Sequence, residues 1–320
     1  MKFNFYLLCA LPIILGTVLS SCKIETARPA KQKYLTIASD YLRPADTLIF
    51  QNFSKRNNIK LKIIHLSPSK MIGQFRKKKF NSGIDVFMLK SMTTVLDFHK
   101  KDLLHPLKKD VHFSENEADY SSERFDYIGF GYDPYIVAAP KSSSAGIRMY
   151  NDLTRHKFIT NLSKDELIPL FAPILSKKDR IGANSWVKKF YEHSKKDSTY
   201  TDSIGNQLPM LTTYSSFHAK ANKKVFIDKK EVFPNTKSTG TFYNLRTICI
   251  AYQAENFDEA TTFIHYYFNK KNNNSLNEKL NTIGIDSKGH GFRKYYMNSE
   301  KMIPYYLTIE RLLYKLEDNN

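Results

Sequence analysis

Cysteine is scarce in this chain: there are three among 320 residues, Cys9, Cys22 and Cys249. Two of them sit in or at the end of an apolar amino-terminal run, so the body of the chain has no pair from which to build a disulfide. No C-x-x-C or His-rich spacing suggests a metal cluster, and no metal or cofactor is expected. Catalytic signatures are also missing, with no G-x-S-x-G, H-E-x-x-H or Gly-rich phosphate loop. Asp40, Asp85 and His105 could carry protons, but nothing around them frames a reaction, and the chain does not read as an enzyme. Acidic residues are in deficit: 31 Asp and Glu stand against 49 Lys and Arg, a formal charge of +18. The excess is scattered and no nucleic-acid motif accompanies it, so nucleic acid is not the expected partner. Either ordinary solvation or an anionic partner would account for such a surface. Finally, no apolar run is long enough to cross a membrane, since the longest, Phe5 to Val18, holds about 14 residues broken by Pro12 and Gly16 where about 20 are needed.

What the amino terminus does have is order. Lys2 precedes the apolar run, and Leu19-Ser20-Ser21-Cys22 closes it with small residues before a cysteine. That is the pattern of a secretory signal, and its last four residues resemble a bacterial lipobox. The expectation is a signal peptide over 1–21, a palmitate-type acyl chain on Cys22, and a polar tether over 22–32. Such a chain is held by lipid at the bacterial cell envelope, on the periplasmic face or the cell surface. Cys249, inside the apolar run Thr247–Ala251, reads as a small buried hydrophobe.

With 42% hydrophobic and 13% aromatic residues, the remainder can bury two cores. The apolar run of Gly83–Ser91 suits a strand buried on both faces. Tyr34–Ser39 and Lys60–Leu66 read as earlier strands, each followed by a helical stretch, so three β-α repeats make one parallel α/β layer. A helix is predicted over Asp46–Lys55 with Leu48, Ile49 and Phe53 on one face, ended by Asn57-Asn58. Ser163 caps a helix over Lys164–Leu175, and a further helix starts at Asn184-Ser185-Trp186. Ser198–Asn206 is polar and reads as a loop. Leu208–Tyr214 reads as a strand, with a helix beginning at Ser215. An amphipathic helix over Phe257–Asn269 presents Ala260, Phe263, Ile264 and Tyr267, is broken by Asn272-Asn273-Asn274 and resumes at Ser275. The chain closes on a helix over Ile303–Leu316.

The succession carries a resemblance. Asn58-Ile59-Lys60-Leu61-Lys62-Ile63, Gly83-Ile84-Asp85-Val86-Phe87, Leu103-Leu104-His105-Pro106-Leu107, the long strand Tyr127–Ala139, Tyr150-Asn151-Asp152-Leu153, then Val232–Asn235 with Gly240–Leu245 and the helix from Ala254 to Lys271, resemble in order and spacing the type II periplasmic solute-binding proteins of ABC importers. The ferric-ion-binding branch is the most similar. The resemblance covers about four fifths of the mature chain and implies an α/β, two-domain periplasmic-binding-protein-like fold with a hinge and an interdomain cleft. It implies a discontinuous domain I of 33–135 plus 235–300, a domain II of 136–234 and a C-terminal helix over 301–320. The implied function is capture of a small molecule by a monomeric lipoprotein for an ABC permease.

In such an architecture strand-to-helix junctions converge on the ligand. The candidate contacts are therefore Ser39, Asp40, Lys90, Ser91, Asn184, Ser185, Tyr214, Ser215, Ser216 and Phe217. Placed on the ferric branch without gaps, the positions of its His, Glu and paired Tyr are occupied by Leu42, Lys90, Ser216 and Phe217, none a ligand for Fe(III). Lys90 turns the local charge positive, so an anionic or neutral polar solute is expected. A ferric binder that uses Tyr214, and a lipoprotein of the same fold with a structural, adhesion or sensing role, are the alternatives.

Overall fold

The computed structural model describes residues 32–77, 83–107, 120–141, 146–195, 207–220, 228–285, 287, 291–295 and 299–317. The expected signal segment, Cys22, the tether as far as residue 31 and the loop Ser198–Asn206 lie outside the described residues. Tyr34–Asn320 forms one compact unit.

The chain begins with β1 (Lys33–Ser39), which buries Leu35, Ile37 and Ala38. A 3-10 helix over Pro44–Phe50 and α1 (Gln51–Asn57) follow, where the sequence predicts a single helix from Asp46 to Lys55. Pro44 starts the tighter helix, and Asp46 Oδ2 accepts the Arg43 N–H at 2.7 Å to cap it. At three residues per turn the apolar face rotates, so Phe50 and Phe53 are buried while Leu48, predicted to face inward, is 68% exposed. Asn58, with φ 52°, takes the left-handed conformation that ends α1 and turns into β2 (Ile59–His65).

After α2 (Pro68–Lys77) come β3 (Val86–Leu89), buried at every residue, α3 (Met92–Lys100) and β4 (Ile128–Pro140), also buried throughout. The second half of the chain contributes β5 (Phe158–Thr160), α4 (Lys164–Leu175), α5 (Arg180–His193), β6 (Ser194–Lys195), β7 (Met210–Thr213), α6 (Tyr214–Ala219) and β8 (Lys229–Val232). It returns through β9 (Tyr243–Ile250), α7 (Phe257–Phe268), α8 (Lys270–Lys279), β10 (Ile283–Gly284) and α9 (Ser299–Glu317).

The sheet runs β2-β1-β3-β9-β4-β7-β5-β6, with β8 and β10 also paired to β4. β3 is parallel to β1, as the β-α repeats predict, and antiparallel to β9, whose insertion makes the sheet as a whole mixed. The returning strand β9 inserts between β3 and β4, a long-range pairing that local β-α patterning does not reveal. β4 is the spine of this arrangement. Its first part, Ile128 to Pro134, pairs with β9, and from Tyr135 onward it pairs with β7 and then β8. One strand thereby carries the chain from one half of the sheet to the other.

A register shift between Gly129 and Gly131 marks a bulge on β4. There the Phe130 carbonyl accepts from Asn273 Nδ2 at 2.9 Å and Asn277 Nδ2 at 3.0 Å. α8 runs straight through Asn272-Asn273-Asn274, where a break is predicted, and the break falls at Asn269 instead. Asn273 is held by β4, Asn272 Nδ2 donates to the Tyr266 carbonyl at 2.9 Å and Asn274 Oδ1 accepts from Ser287 Oγ at 3.2 Å, so each side chain has a partner outside α8. A Cβ on Gly131 would run into Asn277 Oδ1. Gly131→Ala is therefore expected to push α8 off the bulge and cost about 1–3 kcal/mol of stability in denaturant titration. An unchanged midpoint would show that α8 yields without loss.

Two further helices bear on the site. α5 begins at Arg180, four residues before the predicted start, because Asp179 caps it by accepting the Gly182 N–H at 2.7 Å. α7 buries Ala260, Phe263, Ile264 and Tyr267 as its periodicity predicts. Trp186 is a core residue, edge-on to Phe171, with its Nε1 donating to Asn151 Oδ1 at 3.0 Å. Cys249 is buried too, and burial pushes its thiol far above the reactive range.

Candidate functional site: a buried charge cluster at the strand crossover

Arg246 on β9 and Asp133 on β4 are the charged residues of two fully buried, otherwise uncharged strands. Antiparallel pairing of those strands, with Asp133 opposite Asn244 and Gly131 opposite Arg246, brings the two together. Arg246 Nη2 donates to Asp133 Oδ2 at 2.6 Å and to Ser215 Oγ at 3.0 Å. Asp133 also accepts the Ser215 N–H at 2.8 Å and the Ser215 hydroxyl at 2.5 Å, which ties the first turn of α6 to β4. The guanidinium carbon lies 4.8 Å from the centre of the Tyr41 ring. Only 9% of the Arg246 side chain and 2% of Asp133 are exposed.

This arrangement leaves donors over. Arg246 Nε and Nη1, and the Tyr41 hydroxyl, are buried and meet no hydrogen-bond partner among the described residues. Each such group costs about 1–3 kcal/mol while unmet. Burial works against the charge on Arg246, but Asp133 above all outweighs it, and the guanidinium is held protonated. Burial raises the Tyr41 phenol well above its ordinary value, which Arg246 only partly offsets.

Around this pair the loop after β1 meets the start of α3. Ser39 Oγ accepts the N–H groups of Tyr41 and Leu42 at 3.3 and 3.1 Å, and Asp40 Oδ1 accepts the Lys90 N–H at 3.0 Å. Burial pushes the Asp40 carboxyl up, towards its neutral form, against the pull of that hydrogen bond and of Arg246. Lys90 Nζ in turn reaches Glu166 Oε1 at 3.4 Å. Ser91, the cap of α3, donates from Oγ to the Asp165 carbonyl at 3.1 Å, Thr93 Oγ1 donates to the same carbonyl at 3.2 Å, and the Tyr135 hydroxyl donates to the Glu166 carbonyl at 2.6 Å. The starts of α3 and α4 are thus stitched across the crossover.

Glu166 has two duties in this seam, since its other oxygen accepts from Ser163 N and Oγ at 2.9 and 2.8 Å and caps α4. Burial alone would raise its carboxyl, but Lys90, the Ser163 hydrogen bonds and Arg246 together bring it below its ordinary 4.5. A carboxylate with a lowered folded-state pKa stabilises the fold above its unfolded value and loses that contribution as pH falls through the folded value. Glu166→Gln is expected to cost about 1 kcal/mol at neutral pH and to flatten the acid limb of stability below pH 4.5. A pH–stability curve parallel to wild type would take Glu166 out of the seam.

Of the residues singled out in the sequence, Ser39, Asp40, Lys90, Ser91 and Ser215 gather in this cluster. Tyr214 is half-buried with its ring against His218 at 4.1 Å, and burial, Glu231 and Asp133 raise its phenol. Ser216 donates its N–H to Thr213 Oγ1 as part of the α6 cap, and Phe217 is buried in a small core with Ile136 and Met210. Asn184 and Ser185 do not stand at a helix start; they are exposed in the second turn of α5. Sequence reasoning missed Tyr41, Asp133, Glu166 and Arg246. The available signal was Asp133 as the lone charge in the predicted strand Tyr127–Ala139 and Arg246 as the lone charge between the Gly240–Leu245 segment and the apolar run Thr247–Ala251. Among the described residues no group of three or more His, Cys, Asp or Glu is placed to hold a metal ion.

Solved structures match this architecture over nearly their whole length. The Trichodesmium protein IdiA (FutA), in complex with iron and citrate, superposes with a TM-score of 0.74 at 17% identity, covering 88% of this chain and 98% of its own. The ferric binding protein of Campylobacter jejuni gives 0.73 at 18%, covering 87% and 98%. Apo ferric ion-binding protein A of Pasteurella haemolytica gives 0.74 at 15%, covering 90% and 99%. The fold is that of the two-domain periplasmic binding proteins. In this periplasmic-binding-protein fold the Arg246 cluster lies where β9 pairs with β4, the strand that runs from one half of the sheet into the other. No protein-family model and no curated protein matches the sequence. Among the described residues no helix is long and apolar enough to cross a membrane.

Proposed function

We propose that this chain is a solute-binding lipoprotein of the bacterial cell envelope, anchored through Cys22, that captures a small oxygen-rich solute, a carboxylate or phosphate-like anion, for an ABC importer. The observation that carries the reading is Arg246: a buried, fully charged guanidinium at the strand crossover with Nε and Nη1 unmet among the described residues. A ligand offering acceptor oxygens would satisfy both and the Tyr41 hydroxyl with them. In this reading the chain works as a monomer, performs no catalysis and delivers its solute to an ABC permease, the partner that the family resemblance in its sequence implies. Its lobes are 33–135 with 235–300 and 136–234, hinged where β4 changes partners, and 301–320 is the closing helix. Because the donors are buried, solute entry requires the lobes to part, and the 3.4 Å Lys90–Glu166 contact between them is one that such parting would break.

Neighbours of this fold were solved as ferric-binding proteins, one with iron and citrate. A bare ferric ion suits this cluster less well, because Arg246 and Lys90 bring positive charge and the Tyr41 and Tyr214 phenols are held protonated. The test is a thermal-shift panel of phosphate, sulfate, citrate, ferric citrate and ferric chloride on wild type and Arg246→Lys. An anion at one hundred times its Kd should stabilise wild type by about 2.7 kcal/mol and the variant far less. Stabilisation by ferric chloride but by no anion would overturn the reading.

A further inference from the structure

A cavity of about 540 Å³ opens between α5 and α9, and none of the residues around Arg246 lines it. Its floor is apolar, made by Leu175 at the end of α4, Ala183 of α5, and Ile309 and Leu312 of α9. Its rim is cationic: among the described lining residues Lys178, Arg180, Arg311 and Lys315 stand with one acid, Asp179. That acid is already engaged as the cap of α5. The volume is that of a pocket for one small organic molecule, about 300–1,000 Å³.

The two chemistries of the cavity select its occupant. An inorganic anion would answer the four cations and leave the apolar floor wet. A neutral hydrocarbon would cover the floor and bring no charge to the rim, and a cationic amphiphile would be repelled. The apolar atoms form the floor of a concavity, which suits one inserted chain better than the flat surface of a bilayer. We infer that this groove is a second ligand site, for a single-chain amphiphile with an anionic head, of the medium-chain carboxylate class. The chain lies on Leu175, Ile309 and Leu312, and the head lies among the rim cations. Asn184, which the sequence marks as a ligand contact and the Arg246 cluster does not use, stands on the wall of this groove and adds a neutral donor. The rim charges are exposed, so binding weakens with added salt.

Calorimetric titration of the full chain with dodecanoate below its micelle concentration tests this, with acetate and dodecyltrimethylammonium in parallel. One dodecanoate per chain is expected, with neither control binding. Charge reversal by Arg311→Glu with Lys315→Glu should weaken dodecanoate about tenfold, as loss of two rim attractions and gain of two repulsions requires. Both side chains are exposed, so the variant folds; Arg180→Glu provides an independent second reversal. The reversed variants keep the thermal response to oxyanions, so failure of this site and failure of the Arg246 reading are separable. Equal binding of the cationic amphiphile, dodecanoate affinity indifferent to both reversals, or binding to anionic vesicles without binding of monomeric dodecanoate would overturn the proposal.

Discussion

Arg246→Met is expected to destabilise the chain by about 3–5 kcal/mol, because it strands Asp133 as a buried charge without its cation. Asp133 keeps the Ser215 N–H and hydroxyl, which is why the loss is not larger. Adding Asp133→Asn to that variant removes the stranded charge and keeps an oxygen for Ser215, so the double variant should recover at least about 2 kcal/mol of the loss. Urea or guanidinium titration of the four members of this cycle reads the coupling directly. If the single substitution is nearly neutral, the pair is not the buried couple its 2.6 Å contact describes. The cycle also separates structure from binding. The double variant should be folded and yet unable to hold the solute, since the unmet donors go with the guanidinium.

Asp85→Ala is expected to have an effect of similar size, about 3–5 kcal/mol, without touching solute binding. Asp85 is 1% exposed and both its oxygens are spent on backbone and side-chain donors. Oδ2 accepts the Thr36 N–H at 2.7 Å, and Oδ1 accepts the Asn256 N–H at 3.0 Å, with Asn256 Nδ2 reaching both oxygens at 3.2 and 3.1 Å. One carboxylate therefore fastens β1, the residue before β3 and the start of α7. Its truncation leaves two part-buried backbone donors unmet. Such a residue has no oxygen to spare for proton transfer, which takes Asp85 out of the three groups, Asp40, Asp85 and His105, that could carry protons. The folded fraction of Asp85→Ala should still respond to the anion that stabilises wild type. Loss of that response at full folding would place Asp85 in the binding path.

How much of this was legible depended on distance along the chain. β3 was readable because Val86–Leu89 is apolar without interruption, and α7 because its four buried residues recur at helical spacing. Asn58 announced the end of α1, since Asn tolerates the left-handed conformation found there. The failures came from partners far away. α8 survives three consecutive Asn because their side chains find partners outside it, Asn273 on Phe130 more than 140 residues earlier, Asn272 on Tyr266 and Asn274 on Ser287. Leu48 faces solvent because Pro44 starts a 3-10 turn and shifts the phase. The site shows the same division. Ser39, Asp40, Lys90, Ser91 and Ser215 could be marked as strand-to-helix junctions from local pattern alone. Arg246 and Asp133 are 113 residues apart, and only the register of β4 on β9 makes them a pair. Asn184 was misplaced for a local reason: the cap at Asp179 moved the start of α5 by a full turn.

The measurement closest to the central claim is calorimetric titration of citrate and of phosphate into wild type and into the Arg246→Met/Asp133→Asn double variant at matched salt. Binding of at least one of these oxyanions, at one site per chain in wild type, with no detectable heat in the folded double variant, is the predicted result. Equal binding by the two proteins would contradict it and would move the solute site away from Arg246.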